Sequence, residues 1–119
     1  SLVDVSRALL EQALFNVLDN ALRYSPKDKQ VSVTIYQSQQ NVMIDVYNQG
    51  QSLQPDEAER MFELFYSGKE KRSDDSGSGL GLSVAKGVVS AHQGHIECVE
   101  VQQGCLIRIS LPSSQKGEQ

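Results

Sequence analysis

Two periods of apolar residues alternate along this chain, and the switches between them mark its elements. Between residues 6 and 24, Leu10, Leu14, Val17, Leu18 and Ala21 recur at the spacing of one helical face, which predicts an amphipathic helix on a core. Asn16, Asn20 and Arg23 stand at i, i+4 and i+7 and share a different face. Ser25-Pro26 ends this helix, because a residue before proline avoids the α region. The period then drops to two. Val31, Val33 and Ile35 alternate, as do Val42, Ile44 and Val46, predicting a hairpin with one face on the core and a polar turn at residues 38–41.

A loop with a glycine follows at residues 48–54, and Pro55 suits a first helical position with Asp56 and Glu57 beside it. Ala58, Met61, Phe62 and Phe65 give that short helix an apolar face. Residues 66–79 offer almost nothing to bury and are expected to form a surface loop. Leu80, Val84, Val88 and Ala91 mark a third helix, with Gly94 as its C-cap. Strands at 95–101 and 105–111, hinged near Gly104, close the chain, and residues 112–119 form a polar tail. The order is helix, hairpin, helix, loop, helix, hairpin. It predicts an α+β fold, a two-layer sandwich with helices on one face of a mixed, mostly antiparallel sheet.

Composition narrows the class. The 119 residues, 39% of them apolar, fit a single globular domain spanning 1–119. No stretch approaches the roughly 20 apolar residues of a membrane helix, and no signal peptide opens the sequence. A net charge of −4 without a basic run argues against nucleic acid as a partner. Cys98 and Cys105 stand in strand-like apolar contexts and read as buried free thiols. No His/Cys cluster has zinc-site spacing, and a cytoplasmic setting is expected.

Three polar constellations carry candidate chemistry. Asn16 and Asn20 place two carboxamide oxygens one turn apart, with Arg23 and Tyr24 beyond them. Such a face suits a magnesium–triphosphate, since magnesium takes few protein ligands and Arg meets phosphate with several donors. A solvated helix face is the competing reading, although two asparagines in mid-helix are unexpected without a role. Gly77-Ser78-Gly79-Leu80-Gly81-Leu82 opens the third helix and suits a phosphate cradle of backbone N–H groups at a helix N-terminus, with a flexible loop running into a helix as the competing reading. It is neither a P-loop nor a dinucleotide fingerprint, because no Gly-Lys-Ser/Thr follows and no strand precedes it. Asn48-Gln49-Gly50-Gln51-Ser52 follows a strand directly, where a short polar side chain can hydrogen-bond a base edge.

Taken in order, these segments resemble the histidine-kinase branch of the GHKL ATPase superfamily, whose fold is the Bergerat sandwich. The run from Leu14 through Asn16, Asn20, Arg23 and Tyr24 to Pro26 resembles the N box of those kinases. Phe62-Glu63-Leu64-Phe65-Tyr66 resembles the F box, and residues 77–83 resemble the second glycine box. The likeness spans roughly residues 4–112. It implies that Asn20 is a Mg2+ ligand assisted by Asn16, that Arg23 meets phosphate, and that Tyr24 lies near the ribose or base of ATP. It also implies that Asn48 and Gly50 serve the adenine, and that Gly77, Gly79, Leu80, Gly81 and Leu82 belong to a lid loop, about 66–79, and the phosphate cradle behind it. Lys69, Lys71 and Arg72 would add charge to the lid or stand there as solvated loop residues.

By resemblance the activity is that of a protein-histidine kinase in a two-component pathway. The γ-phosphoryl group of ATP would pass to a histidine on a separate helical dimerisation domain, and a response regulator would act downstream. The full-length protein is then expected to be a membrane-anchored homodimer with this domain in the cytoplasm. ATP-hydrolysing members of the superfamily carry a glutamate where Asn16 stands, and a carboxamide is no general base at neutral pH, so hydrolysis is expected to be slow. Two departures matter. The first glycine box of most relatives reads Asp-x-Gly-x-Gly, whereas here Asn48 and Ser52 replace its first and last residues. The helical domain with the acceptor histidine is also expected to be absent, since His92 and His95 are the only histidines and sit at a helix end and a strand start. Two alternatives stay open: an anti-sigma-factor type of serine kinase, and a degenerate domain that binds nucleotide or a partner without catalysis.

Overall fold

Helix α1 spans Leu2–Arg23, in a computed structural model that describes residues 2–23, 25–50, 60–63 and 81–113, with side chains from Ser6 onward. Its buried line is Ala13, Val17 and Ala21, while Leu10, Leu14 and Leu18 flank that line half-buried. Val17 and Ala21 of the expected stripe are thus buried as read, while Ala13 takes the central place expected of the leucines. The second described helix, α2 (Gly81–Ala91), packs directly on α1. It buries Leu82, Ala85 and Val89, not the expected stripe. Val84 is 44% exposed, Val88 is half-buried and Ala91 is exposed, and Leu80 lies outside the described residues. Small side chains at 13, 21 and 85 bring the two helices together, and that close approach selects the face.

The C-terminus of α2 corrects another expectation. Gln93, not Gly94, adopts the left-handed conformation, at φ 64°. The Gln93 N–H donates to Ser90 O (2.9 Å) and the Gly94 N–H to Val89 O (2.9 Å), the paired bonds of a Schellman motif. Gly94 is required for space, since a Cβ there would stand 2.3 Å from the Ser110 carbonyl oxygen. His92 caps the same end, its Nδ1 lying 2.8 Å from Val88 O.

Four strands, β1 (Val31–Ser38), β2 (Asn41–Asn48), β3 (His95–Val99) and β4 (Cys105–Pro112), form one sheet in the order β1-β2-β4-β3. Every pairing among them is antiparallel. The first hairpin turns through Gln39, which is left-handed at φ 56°. Helices cover one face of the sheet, α1 over β2 and α2 over β3, and the core between the layers takes Val46, Ile96, Cys105, Ile107 and Ile109 from the strands. Met61 is buried with them and Phe62 half-buried, under the Lys86 ammonium 5.9 Å from its ring centre. Residues 64–66 of the aromatic segment lie outside the described residues. The expectation that the first hairpin sets one face on the core holds for β2 alone. On β1, Val33 is 46% and Ile35 65% exposed, because β1 is an edge strand and the described helices lie over β2 and β3.

On the sheet's outer face, Arg108 grips Asp45 directly across β2 and β4, Nε to Oδ1 at 2.9 Å and Nη2 to Oδ2 at 3.0 Å. Tyr36 donates from β1 to the same carboxylate at 3.1 Å. The Arg108 bonds, aided by Tyr36, hold the Asp45 carboxyl below its usual range despite burial. A carboxyl whose pKa falls on folding adds stability that is full above its unfolded value, about 3.9, and is lost as pH falls through the folded value. Asp45→Asn is expected to cost about 1–2 kcal/mol at pH 7 and to lose less than wild type between about pH 5 and 3, as checked by urea unfolding at each pH. Gly94→Ala is expected to cost about 1–3 kcal/mol by forcing β4 away from the end of α2, read in the same assay.

Candidate functional site

The polar face of α1 meets the start of α2 through one side chain. Asn16 donates from Nδ2 to the Gly81 carbonyl at 3.2 Å, and its Oδ1 accepts from Gln12 Nε2 at 2.9 Å. Both sides of the carboxamide are thus engaged, which fixes its rotation and ties the N box to the first residue of α2. Gln12 escaped the sequence reading, although a Gln–Asn pair at i, i+4 is a readable helix signal. The N-terminal N–H groups of α2 lack partners within the helix. A Cβ added at Gly81 would meet Asn16 Cβ at only an ordinary 3.9 Å. Packing among the described residues therefore does not demand glycine at 81.

Asn20, one turn beyond Asn16, is half-buried and has no hydrogen-bond partner among the described residues. A carboxamide oxygen left in that state is a fitting donor for a hard cation. Arg23 pairs with Asp19 across one turn, Nε to Oδ2 at 2.9 Å. The Asp19 side chain is 43% exposed, so the pair adds little to stability. Leu82 is buried in the core. Tyr24, Gly77, Gly79 and Leu80 lie outside the described residues, as does all of the expected lid at 66–79.

Asn48 is the departure from the usual first glycine box, and it is the buried polar residue among the described residues, at 5% exposure. It ends β2, paired with Val31 on one side and Cys105 on the other. Its backbone is braced from β4: Gly104, at φ 91°, approaches so closely that a Cβ would stand 2.3 Å from Asn48 O, and Tyr47 donates its hydroxyl to Gln103 O at 2.7 Å. The carboxamide has no hydrogen-bond partner among the described residues. A buried amide left unsatisfied costs about 1–3 kcal/mol, which makes Asn48 a candidate for a ligand contact. Gly50, two residues on, is also buried.

Helices layered on one face of an antiparallel sheet place the chain among the two-layer α+β sandwiches of the Bergerat type. Residues 5–115 match the family described as histidine kinase-, DNA gyrase B-, and HSP90-like ATPase, and the chain belongs to that family. Its relatives fall in the sensor histidine kinase branch. The chain is 33% identical over 113 residues to the sensor protein KdpD of Clostridium acetobutylicum, covering 93% of this chain and 13% of that protein. It is 40% identical over 91 residues to the sensor-like histidine kinase SenX3 of Mycobacterium tuberculosis, covering 76% of this chain and 22% of that protein. The chain thus spans a small fraction of these relatives' length. Among solved structures, the mycobacterial sensor histidine kinase MprB superposes with a TM-score of 0.80 at 36% identity, over 88% of this chain and 72% of that one. Full-length ShkA, solved in complex with AMPPNP, gives 0.72 at 27% identity, over 87% and 21%.

Asn48→Leu replaces an unsatisfied amide by an apolar group of similar size. It is expected to raise the stability of the nucleotide-free domain by about 1 kcal/mol, read as a higher urea midpoint at unchanged slope. A lower midpoint would show that the amide has a partner in the folded chain.

Proposed function

We propose that this domain binds Mg-ATP and donates its γ-phosphoryl group to a histidine on a separate helical dimerisation domain, within a two-component pathway. The observation that carries the nucleotide half is the buried amide of Asn48, which has no hydrogen-bond partner among the described residues. Its oxygen accepts from the adenine amino group, a neutral bond weaker than the aspartate of most relatives would make. The AMPPNP complex of ShkA supports the same reading. Asn20 and Asn16 would hold Mg2+, the former with its free oxygen and the latter as the brace that sets the spacing to α2. The ion, when bound, supplies neutralisation of phosphate charge. Arg23 exchanges Asp19 for a phosphate oxygen. Gly81 and Leu82, with Gly77, Gly79 and Leu80 before them, form the cradle, and Tyr24 flanks the ribose or base.

The transfer half rests on what position 16 lacks. Asn16 is hydrogen-bonded on both sides and takes no proton from water, so bound ATP waits for an incoming nucleophile. The acceptor imidazole nitrogen would form a bond to the γ-phosphorus as the bond to ADP oxygen breaks. His92 is committed to the end of α2, which favours an acceptor outside this domain. The partners are then the dimerisation domain of the same kinase and, after it, a response regulator. No helix among the described residues is long and apolar enough to cross a membrane. A cytoplasmic domain of a membrane-anchored homodimer is the setting proposed.

Calorimetric titration with Mg-ATP is expected to show binding, and Asn20→Ala to weaken it by about tenfold or more. Labelled ATP should transfer its γ-phosphoryl group only when a histidine-bearing helical domain is added in trans. No binding at millimolar ATP would contradict the nucleotide reading. Label on a serine would instead favour the anti-sigma-factor type of kinase, and binding without any transfer a degenerate domain.

A further inference from the structure

The β3–β4 hairpin holds the chain's two cysteines side by side. Cys98 stands opposite Ile107, and Cys105 lies two positions before Ile107 on β4, so the thiols are diagonal neighbours on one face of the sheet. Their Sγ atoms are 4.0 Å apart and both thiols are free. Their exposure differs. Cys105 is 8% exposed and belongs to the core, whereas Cys98 is half-buried. A reagent from solvent therefore reaches Cys98 first. Cys105 also shifts its neighbour's ionisation, since its S–H bond to Cys98 favours the Cys98 thiolate, while the same bond and burial push the Cys105 thiol up.

The pair sits at a sensitive place. Cys105 is the register partner of Asn48 across β2 and β4. The turn before it is seated on the same strand end, through the Gly104 approach to Asn48 O and the Tyr47–Gln103 hydrogen bond. A disulfide brings two sulfurs to about 2.05 Å, so closing a 4.0 Å gap between diagonal positions moves the start of β4 as well as the side chains.

The geometry points to an oxidative modification site: Cys98 and Cys105 form a dithiol that low-molecular-weight disulfides close into an intramolecular bond, with loss of affinity at Asn48. The affinity clause rests on the nucleotide reading; the modification does not. Oxidised glutathione is a suitable reagent. The Cys98 thiolate attacks one of its sulfurs, its S–S bond breaks, and one glutathione leaves carrying the proton that Cys98 lost. Cys105 then attacks the Cys98 sulfur of the mixed disulfide, and the second glutathione leaves with the proton from Cys105. Two protein thiols are oxidised by two electrons and one small disulfide is reduced to two thiols.

The test treats the full chain with excess oxidised glutathione and follows intact mass, non-reducing gels and Mg-ATP titration. The expected product is a monomer lighter by two hydrogens that regains its mass with dithiothreitol. Cys105→Ser should stop at a single glutathione adduct, and Cys98→Ser should leave Cys105 unreacted. The oxidised wild type should bind Mg-ATP roughly threefold or more weaker than the reduced form, a modest coupling between contacting groups. Two thiols still titratable, a lasting adduct on the wild type, or cross-linked dimers would overturn the site. A closed disulfide with unchanged affinity would overturn its link to Asn48. Failure of both forms to bind Mg-ATP would count against the nucleotide reading alone, because the mass and gel results decide the dithiol independently.

Discussion

The structure depends on one seam of burial, where Ala13, Val17 and Ala21 of α1 meet Leu82, Ala85 and Val89 of α2 above the central strands. Its side chains are small, so the helices lie close, and closeness sets everything polar that follows. Asn16 reaches the Gly81 carbonyl only because α2 begins beside the middle of α1. Asn20 lies on the same face, half-buried and without a hydrogen-bond partner among the described residues. Apolar packing thus carries the energy, at roughly 25 cal/mol per Å² of surface removed from water, and the polar face is placed by it rather than placing it.

A second framework secures the far end of the site. β2 and β4 pair along their whole length, from Asn41 with Pro112 to Asn48 with Cys105. On the outer face that register is reinforced by the bidentate bond between Arg108 and Asp45. A one-residue slip would send the core face to solvent, so Asn48 is held in place by the whole ladder. A buried amide without a partner persists only where the surrounding structure is rigid enough to enforce it. The nucleotide would then recover the cost of that amide, with the helix seam and the strand ladder each fixing one end of its site.

Much of the fold was legible in the sequence. The order of the two described helices and four strands, the change of period between them, and the two-layer arrangement follow from pattern alone, while the middle helix expected from Pro55 lies almost wholly outside the described residues. The errors were errors of face. On α1 the leucines drew attention away from Ala13, and on α2 Val84 and Val88 did the same against Ala85 and Val89, because hydrophobic size is a poor guide where helices approach closely. Val33 and Ile35 alternate as core residues do, yet β1 lies beyond the helical layer, and periodicity within one strand says nothing about where a covering layer ends. Gly94 was recognised as special for the wrong reason: its neighbour Gln93 is the left-handed residue, and Gly94 makes room for Ser110 O. Of the candidate site, the shared helix face of Asn16 and Asn20 is legible from spacing, whereas their role follows only from the resemblance. The burial of Asn48 and the brace from Gly104 and Tyr47 were not, since they arise between β2 and the β3–β4 hairpin, far apart in the chain.

The central claim is that the amide of Asn48 and the carboxamide face of α1 serve one bound nucleotide. Nitrogen-15 NMR of the side-chain amides and backbone during Mg-ATP addition tests it most directly. The expected result is a saturable shift of the Asn48 side-chain NH2 together with those of Asn16, Asn20 and the Gly81 amide, while Arg108 and Asp45 on the outer face stay still. Unmoved Asn48 and α1 amides at saturating nucleotide, or shifts confined to the outer face, would contradict it.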